Sequence, residues 1–110
     1  MEYLLMIYAD PNEKDDPRLL EGYGAFTKEV GERGVLRGGN RLHRAPEAKT
    51  VRVRNGQTVT TDGPYAETKE QIGGYYLLDC RDFDEAIEFA AKIPNARDGC
   101  IEVRPVWAMG

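Results

Sequence analysis

Cysteine is scarce in this chain, with two residues, and histidine and tryptophan occur once each. Cys80 and Cys100 cannot build a disulfide framework, and beside a single histidine they do not make a four-ligand zinc site. The carboxylates are dispersed and none sits in a calcium-loop pattern, so no metal is expected. No apolar run approaches the ~20 residues that span a bilayer, so no membrane contact is expected either. Charge of one sign is also missing: the net charge is −4, with basic and acidic residues mixed along the chain. A nucleic-acid binder gathers its basic residues on one stripe. The one basic excess here, Arg37, Arg41, Arg44, Lys49, Arg52 and Arg54, is interrupted by Glu47, so nucleic acid is not an expected partner. The glycine pairs at 38–39 and 73–74 lack the strand–loop–helix order of phosphate-binding loops, and no cofactor is expected. What remains is 41% apolar and 31% charged, an ordinary globular balance. Its 110 residues are enough for one domain, 1–110, with its own core. The start, Met1-Glu2-Tyr3-Leu4-Leu5-Met6-Ile7-Tyr8, lacks a basic leader and a cleavage site. It reads as a strand rather than a signal peptide, and the cytoplasm is the expected location.

Residues 3–8 are continuously apolar, the pattern of a strand covered on both faces. A polar loop, 10–16, ends at Asp16-Pro17, an N-cap followed by proline at the first helical position. Leu19, Tyr23, Phe26 and Val30 then form one apolar helix face, and Gly34 is placed to end the helix. Gly22 and Gly24 weaken that helix unless close packing uses them. A second strand is expected over 35–42, bulged at Gly38-Gly39. A hairpin turns at Asn55-Gly56, with Val53 facing either Thr58 or Val59. After the turn Asp62-Gly63-Pro64-Tyr65 comes a strand over 72–79. Asp82 and Glu85 have capping-box spacing ahead of a helix expected to turn Phe83, Ala86, Ile87 and Ala90 inward and to stop near Pro94. The last strand, 101–107, carries Pro105 and is expected at an edge or to end early.

This order gives an α+β, ferredoxin-like βαββαβ arrangement with an inserted β-hairpin and two helices on one sheet face. Two strands are apolar on both faces, so the uncovered face calls for a second copy and a homodimer through the open sheet. In the usual strand order the first strand separates Cys80 from Cys100 by two spacings, about 9–10 Å, too far for a disulfide. Two free thiols are expected.

Among candidate site residues, Asp62 comes first. Placed ahead of a tight turn, it can act as a general base or ligand anchor if partly buried, or it can accept hydrogen bonds from its own turn. Glu67, Lys69 and Glu70 are at hand to complete a polar pocket. His43 is the lone imidazole, the usual base near neutral pH, with no local acid seen to orient it. Tyr8, Tyr23, Tyr65 and Tyr75 are candidate ligand contacts, in competition with roles in the core and interface. Two readings stay open. One is a dimer that binds a small organic molecule near Asp62. The other is a non-catalytic interaction or regulatory module in which the turn is structural.

The block Asp62-Gly63-Pro64-Tyr65-Ala66-Glu67-Thr68-Lys69-Glu70-Gln71-Ile72-Gly73-Gly74-Tyr75-Tyr76-Leu77-Leu78 closely resembles the signature of the DGPF-domain subgroup of the YCII-related family, with Tyr65 where that pattern usually has Phe. The hairpin Thr50-Val51-Arg52-Val53-Arg54-Asn55-Gly56 and the tail Ile101-Glu102-Val103-Arg104-Pro105-Val106 extend the likeness. The resemblance implies a dimeric α/β-barrel assembly and brings no established reaction. It also implies a link to alternative sigma factors, beside whose genes such relatives are often encoded. Some relatives are proposed to use a His on the first helix with an Asp at the end of the second. Leu19-Leu20-Glu21-Gly22-Tyr23 has no His and Ala91-Lys92-Ile93-Pro94-Asn95 no Asp, so that dyad is not carried over.

Overall fold

The structure is a computed structural model that describes residues 1–14 and 16–108; Asp15, in the expected polar loop, lies outside them. Strand β1 (Glu2–Ala9) leads into helix α1 (Pro17–Glu32), and β2 (Leu36–Arg41) follows. A short 3-10 turn, Ala45–Glu47, precedes the hairpin β3 (Lys49–Arg54) and β4 (Gln57–Asp62). Then come β5 (Gln71–Asp79), α2 (Phe83–Ala90), a second 3-10 turn at Pro94–Ala96, and β6 (Cys100–Pro105).

Local chemistry sets the element ends. The Asp16 side chain accepts from the Arg18 N–H at the start of α1, one of the orphan donors of a helix N-terminus. Gly34, at φ +73°, closes that helix. The Asp82 side chain accepts from Glu85 N–H, and the Glu85 carboxylate reaches back to Arg81 N–H. This is a capping box shifted by one residue on its return arm. Asn55 and Gly56 both take positive φ, 52° and 74°. The hairpin therefore has a two-residue loop, and Val53 faces Thr58.

Four antiparallel strands make the main sheet in the order β2-β5-β1-β6. Together with the two helices this is a mixed α+β architecture compatible with a ferredoxin-like fold. Strand β1 lies between the strands that lead to Cys80 and from Cys100, and both thiols are free, Cys80 buried and Cys100 exposed. The edge strand β6 ends at Pro105. The bulge in β2 falls between Leu36 and Gly38, one step earlier than expected.

The core forms on one face. Tyr3, Leu5 and Ile7 of β1 and Tyr76 and Leu78 of β5 meet Phe26 and Val30 of α1 and Ala86, Phe89 and Ala90 of α2. One expectation needs correction here. Helix α2 is rotated from the expected phase: Phe89 is buried at 2% exposure, while Phe83 and Ile87 stand at 41% and 50%. Phe83 instead packs edge-on against Tyr3, with ring centroids 5.3 Å apart. Strand β1 is fully buried on one face only. Leu4 and Met6 point to the face without helices and remain half-buried, beside Leu77 of β5.

The hairpin is a sheet of its own. Every residue of β4 is exposed, and Val51 and Val53 are 60% and 61% exposed. The arm stretches the molecule to 47 × 41 × 18 Å, with a radius of gyration of 15.7 Å. A compact chain of this length has about 13 Å.

Candidate ligand cavity

Between α1 and the β2 edge of the sheet lies a cavity of about 740 Å³. Its helical wall is Leu19, Leu20, Tyr23 and Thr27, one face of α1 at successive turns. Its floor is the β2–β5 pair, where Gly39 and Gly74 keep the backbone bare. A Cβ on Gly39 would meet the Tyr76 ring at 2.9 Å, so glycine there lets that ring lie across β2. The loop from Ala9 and the segment after β2, including Leu42, His43 and Arg44, close the ends.

The polar side chains of this wall are held in pairs. The Tyr23 hydroxyl donates to Asn95 Oδ1 at 2.5 Å, and Asn95 Nδ2 donates to Asp98 Oδ1 at 3.0 Å. Asn95 is 5% exposed, the one buried polar residue among those described. Burial, and to a lesser degree the neighbouring Tyr76, pushes the Tyr23 phenol up to about 12, so Tyr23 stays protonated across the physiological range. Thr27 Oγ1 and Tyr76 Oη lie 2.7 Å apart. Asn40 Nδ2 donates to Tyr75 Oη at 3.0 Å, and Arg44 donates to the Pro11 carbonyl at 2.9 Å, tying the two end segments together.

The expected site residues are divided by this geometry. Tyr23, Tyr75 and His43 line the cavity. His43 does have an acid beside it, contrary to the sequence reading: the 3-10 turn brings Glu47 Oε2 to 3.3 Å from His43 Nδ1. Asp62 ends β4 on the hairpin arm, its side chain 86% exposed and bonded to Lys49 Nζ at 2.6 Å. The backbone of its own turn is satisfied elsewhere, Gly63 N–H to the Ala48 carbonyl and Thr50 Oγ1 to the Gly63 carbonyl. Tyr65 is 82% exposed and lies under the Arg52 guanidinium at 5.6 Å. Glu67 is exposed, and Lys69 lines a small polar recess with Asp10, Glu13, Glu70 and Asp98. Tyr8 sits on the open sheet face opposite Cys100, its phenol pushed up by burial and then by Glu102. Among the described residues no group of His, Cys, Asp and Glu is gathered to hold a metal ion. No helix among them is long and apolar enough to cross a membrane.

Asn95 was missed from the sequence, because an asparagine after proline reads as a turn residue. The available signal was Tyr23, whose hydroxyl on an otherwise apolar helix face needs a partner. Segments 19–23 and 91–95, which lack the His and Asp of the dyad proposed for some relatives, do touch, through the side chains of Tyr23 and Asn95.

The model of the YCII-related domain family matches residues 1–110. An uncharacterized protein of Rhizobium meliloti is 38% identical over 114 residues, covering 96% of this chain and 92% of its own length. Among solved structures, a 5-chloro-2-hydroxyhydroquinone dehydrochlorinase from Burkholderia phenoliruptrix, in complex with 2,5-dihydroxybenzoquinone, aligns at a TM-score of 0.49 and 17% identity. That alignment covers 100% of this chain and 96% of the other.

Proposed function

This chain belongs to the YCII-related domain family, and from that premise we propose that it binds a small organic molecule in the cavity between α1 and β2. The observation that carries the reading is the cavity itself: about 740 Å³, within the range of small-molecule sites, with an apolar body and few convergent polar groups. Tyr23 is a hydrogen-bonding contact in this reading rather than a base, because its phenol keeps its proton to about 12. His43, with Glu47 beside it, is the group at the rim suited to proton transfer. Asp62 serves the hairpin arm through Lys49, and any chemistry by it requires a ligand or second copy to come to the arm. The block from Asp62 to Leu78 supports membership of the DGPF subgroup.

The assembly we propose is a homodimer packed through the open sheet face, the dimeric α/β-barrel arrangement, since Leu4, Met6 and Leu77 there have no helix above them. A monomeric mass in sedimentation at micromolar concentration sinks that part. A second reading, an interaction module without a ligand, is favoured by one observation: the projecting hairpin exposes Val51 and Val53 to solvent, as an arm for a protein partner would.

A ligand screen by thermal shift separates the two. Binding to the folded state raises stability by about 2.7 kcal/mol at a hundredfold excess over Kd. Leu20 is 48% exposed on the cavity wall, so Leu20→Glu leaves the fold intact and removes the shift. A panel of small aromatic and aliphatic acids and alcohols that gives no shift in the parent protein refutes the cavity reading.

A further inference from the structure

The cavity wall carries hydroxyls whose protons are placed in two different ways. Asn95 is 5% exposed and both ends of its amide are engaged. Asp98 presents an oxygen that accepts, so the amide nitrogen faces Asp98 and the amide oxygen faces Tyr23. An amide oxygen only accepts, and the single Tyr23 proton is committed to it at 2.5 Å. Turning that proton toward the cavity would strand a buried acceptor. On its cavity side Tyr23 Oη is therefore an acceptor.

One turn along the same face of α1 the balance is reversed. Thr27 Oγ1 and Tyr76 Oη lie 2.7 Å apart, and both residues line the cavity. Two hydroxyls carry two protons, and the single bond between them uses one. Among the described residues neither hydroxyl has a second hydrogen-bonding partner, so one O–H is left to donate. Tyr76 is near enough to Tyr23 to act on its phenol electrostatically, so an acceptor and a donor stand side by side.

The rim adds no surplus charge. Among the described residues there, Lys14 and Arg44 are equalled in number by Asp10 and Glu13, Arg37 is paired with Asp79, and Arg41 is itself engaged. From the rim inward the wall is Leu19 and Leu20 over Ile7, which offers no partner to a buried ion. A carboxylate, ketone or ether brings no proton for Tyr23, and an ammonium brings no acceptor. A hydroxyl does both from one atom.

We infer that the cavity takes an uncharged alcohol or phenol, its hydroxyl donating to Tyr23 Oη and accepting from the Thr27–Tyr76 pair, with its apolar body against the α1 leucines. The inference rests on the cavity being a ligand site, and it adds the class and the orientation. Asn95 is a positioning residue that sets which way Tyr23 bonds.

The test is equilibrium dialysis with para-nitrophenol and its methyl ether, para-nitroanisole, at pH values on either side of the nitrophenol's own ionisation, alongside the uncharged dye Nile red. The ether reports any change in the protein itself. The parent protein is expected to bind neutral nitrophenol about ten-fold more tightly than the ether, as one hydrogen bond allows. That advantage is lost as the ligand ionises, while ether binding holds steady. In Tyr23→Phe the preference for the neutral phenol over the ether falls to within about two-fold. In Asn95→Ala the Tyr23 proton is released, and the nitrophenolate is no longer disfavoured. Equal binding of phenol and ether by the parent protein, tighter binding of the nitrophenolate, or a preference that survives in Tyr23→Phe overturns the inference. Saturable dye binding that Leu20→Glu abolishes, without binding of either nitro compound, overturns the class and leaves the cavity reading standing. Absence of all binding, dye included, removes both. Should either variant at Tyr23 or Asn95 not fold, the ratios in the parent protein decide.

Discussion

The Tyr23–Asn95 bond joins α1 to the segment that follows α2, across 72 residues of sequence, and its contribution can be isolated by a double-mutant cycle. Tyr23→Phe leaves the fold of α1 intact and strands the Asn95 amide oxygen in a site only 5% exposed. An unsatisfied buried acceptor costs about 1–3 kcal/mol. Asn95→Ala removes that bond and the one to Asp98, along with the packing of the buried side chain, and should cost about 2–4 kcal/mol. In the double mutant the stranded oxygen no longer exists. The total should therefore fall short of the sum by about 1 kcal/mol or more, the size expected of residues in direct contact. Urea denaturation of the four proteins, followed by far-ultraviolet circular dichroism, measures the cycle. Costs that add to within about 0.3 kcal/mol, the behaviour of independent sites, would refute the claim that this bond locks the cavity wall.

Three further outcomes are expected. A Cβ at Gly99 would stand 2.0 Å from the Tyr8 carbonyl oxygen and 3.2 Å from that of Asn95, both backbone atoms. Gly99→Ala should accordingly lower the melting temperature sharply, by the equivalent of about 3 kcal/mol or more, while Gly24→Ala, with open space around it, should raise it slightly. Gly56→Ala strains a left-handed turn position, φ 74°, by about 1 kcal/mol. Because the hairpin is separate from the core, amide exchange across 49–62 should quicken while the melting temperature stays within a degree or two. The Asp79 carboxyl is held below its ordinary 3.8, first by the Met1 ammonium at 2.9 Å and then by Arg37. A depressed acid stabilises the fold above its unfolded pKa, and that stability is lost as pH falls through the folded value. Asp79→Asn should lower the melting temperature near neutrality and flatten its decline below about pH 4; parallel curves for the two proteins refute the linkage.

Element ends were legible because each rests on a few neighbouring residues. Asp16-Pro17, Gly34, Asn55-Gly56 and Asp82 through Glu85 each name their own geometry, and each was found where expected. The phase of α2 was less legible. Phe83, Ile87 and Ala90 make an apolar face as regular as the buried one of Ala86, Phe89 and Ala90, and the choice is made by the sheet beneath. Three residues of the cavity wall, Tyr23, Tyr75 and His43, were legible as candidates, but that they share one cavity with Asn95 was not, since they come together only through tertiary packing. Asp62 drew attention because its motif is local. Its surroundings, an arm 86% open to solvent at that side chain, depend on where the hairpin goes, which no residue in the motif encodes.

The chain leaves the main sheet after Arg41 and rejoins it at Gln71, and these two points are one hydrogen bond apart, Leu42 N–H to the Gly73 carbonyl at 2.9 Å. The intervening stretch is thus an excursion that departs and returns at the same doorway. The entropy of closing such a loop grows only slowly with its length, so the sheet is nearly indifferent to what is hung there. Beyond Glu47, which still stands beside His43 at the cavity rim, residues 48–70 form a cassette. It can be lengthened, trimmed or recoloured with charge while Tyr23, Asn95 and the cavity floor keep their places, and surface recognition can diversify on it without retuning the chemistry inside.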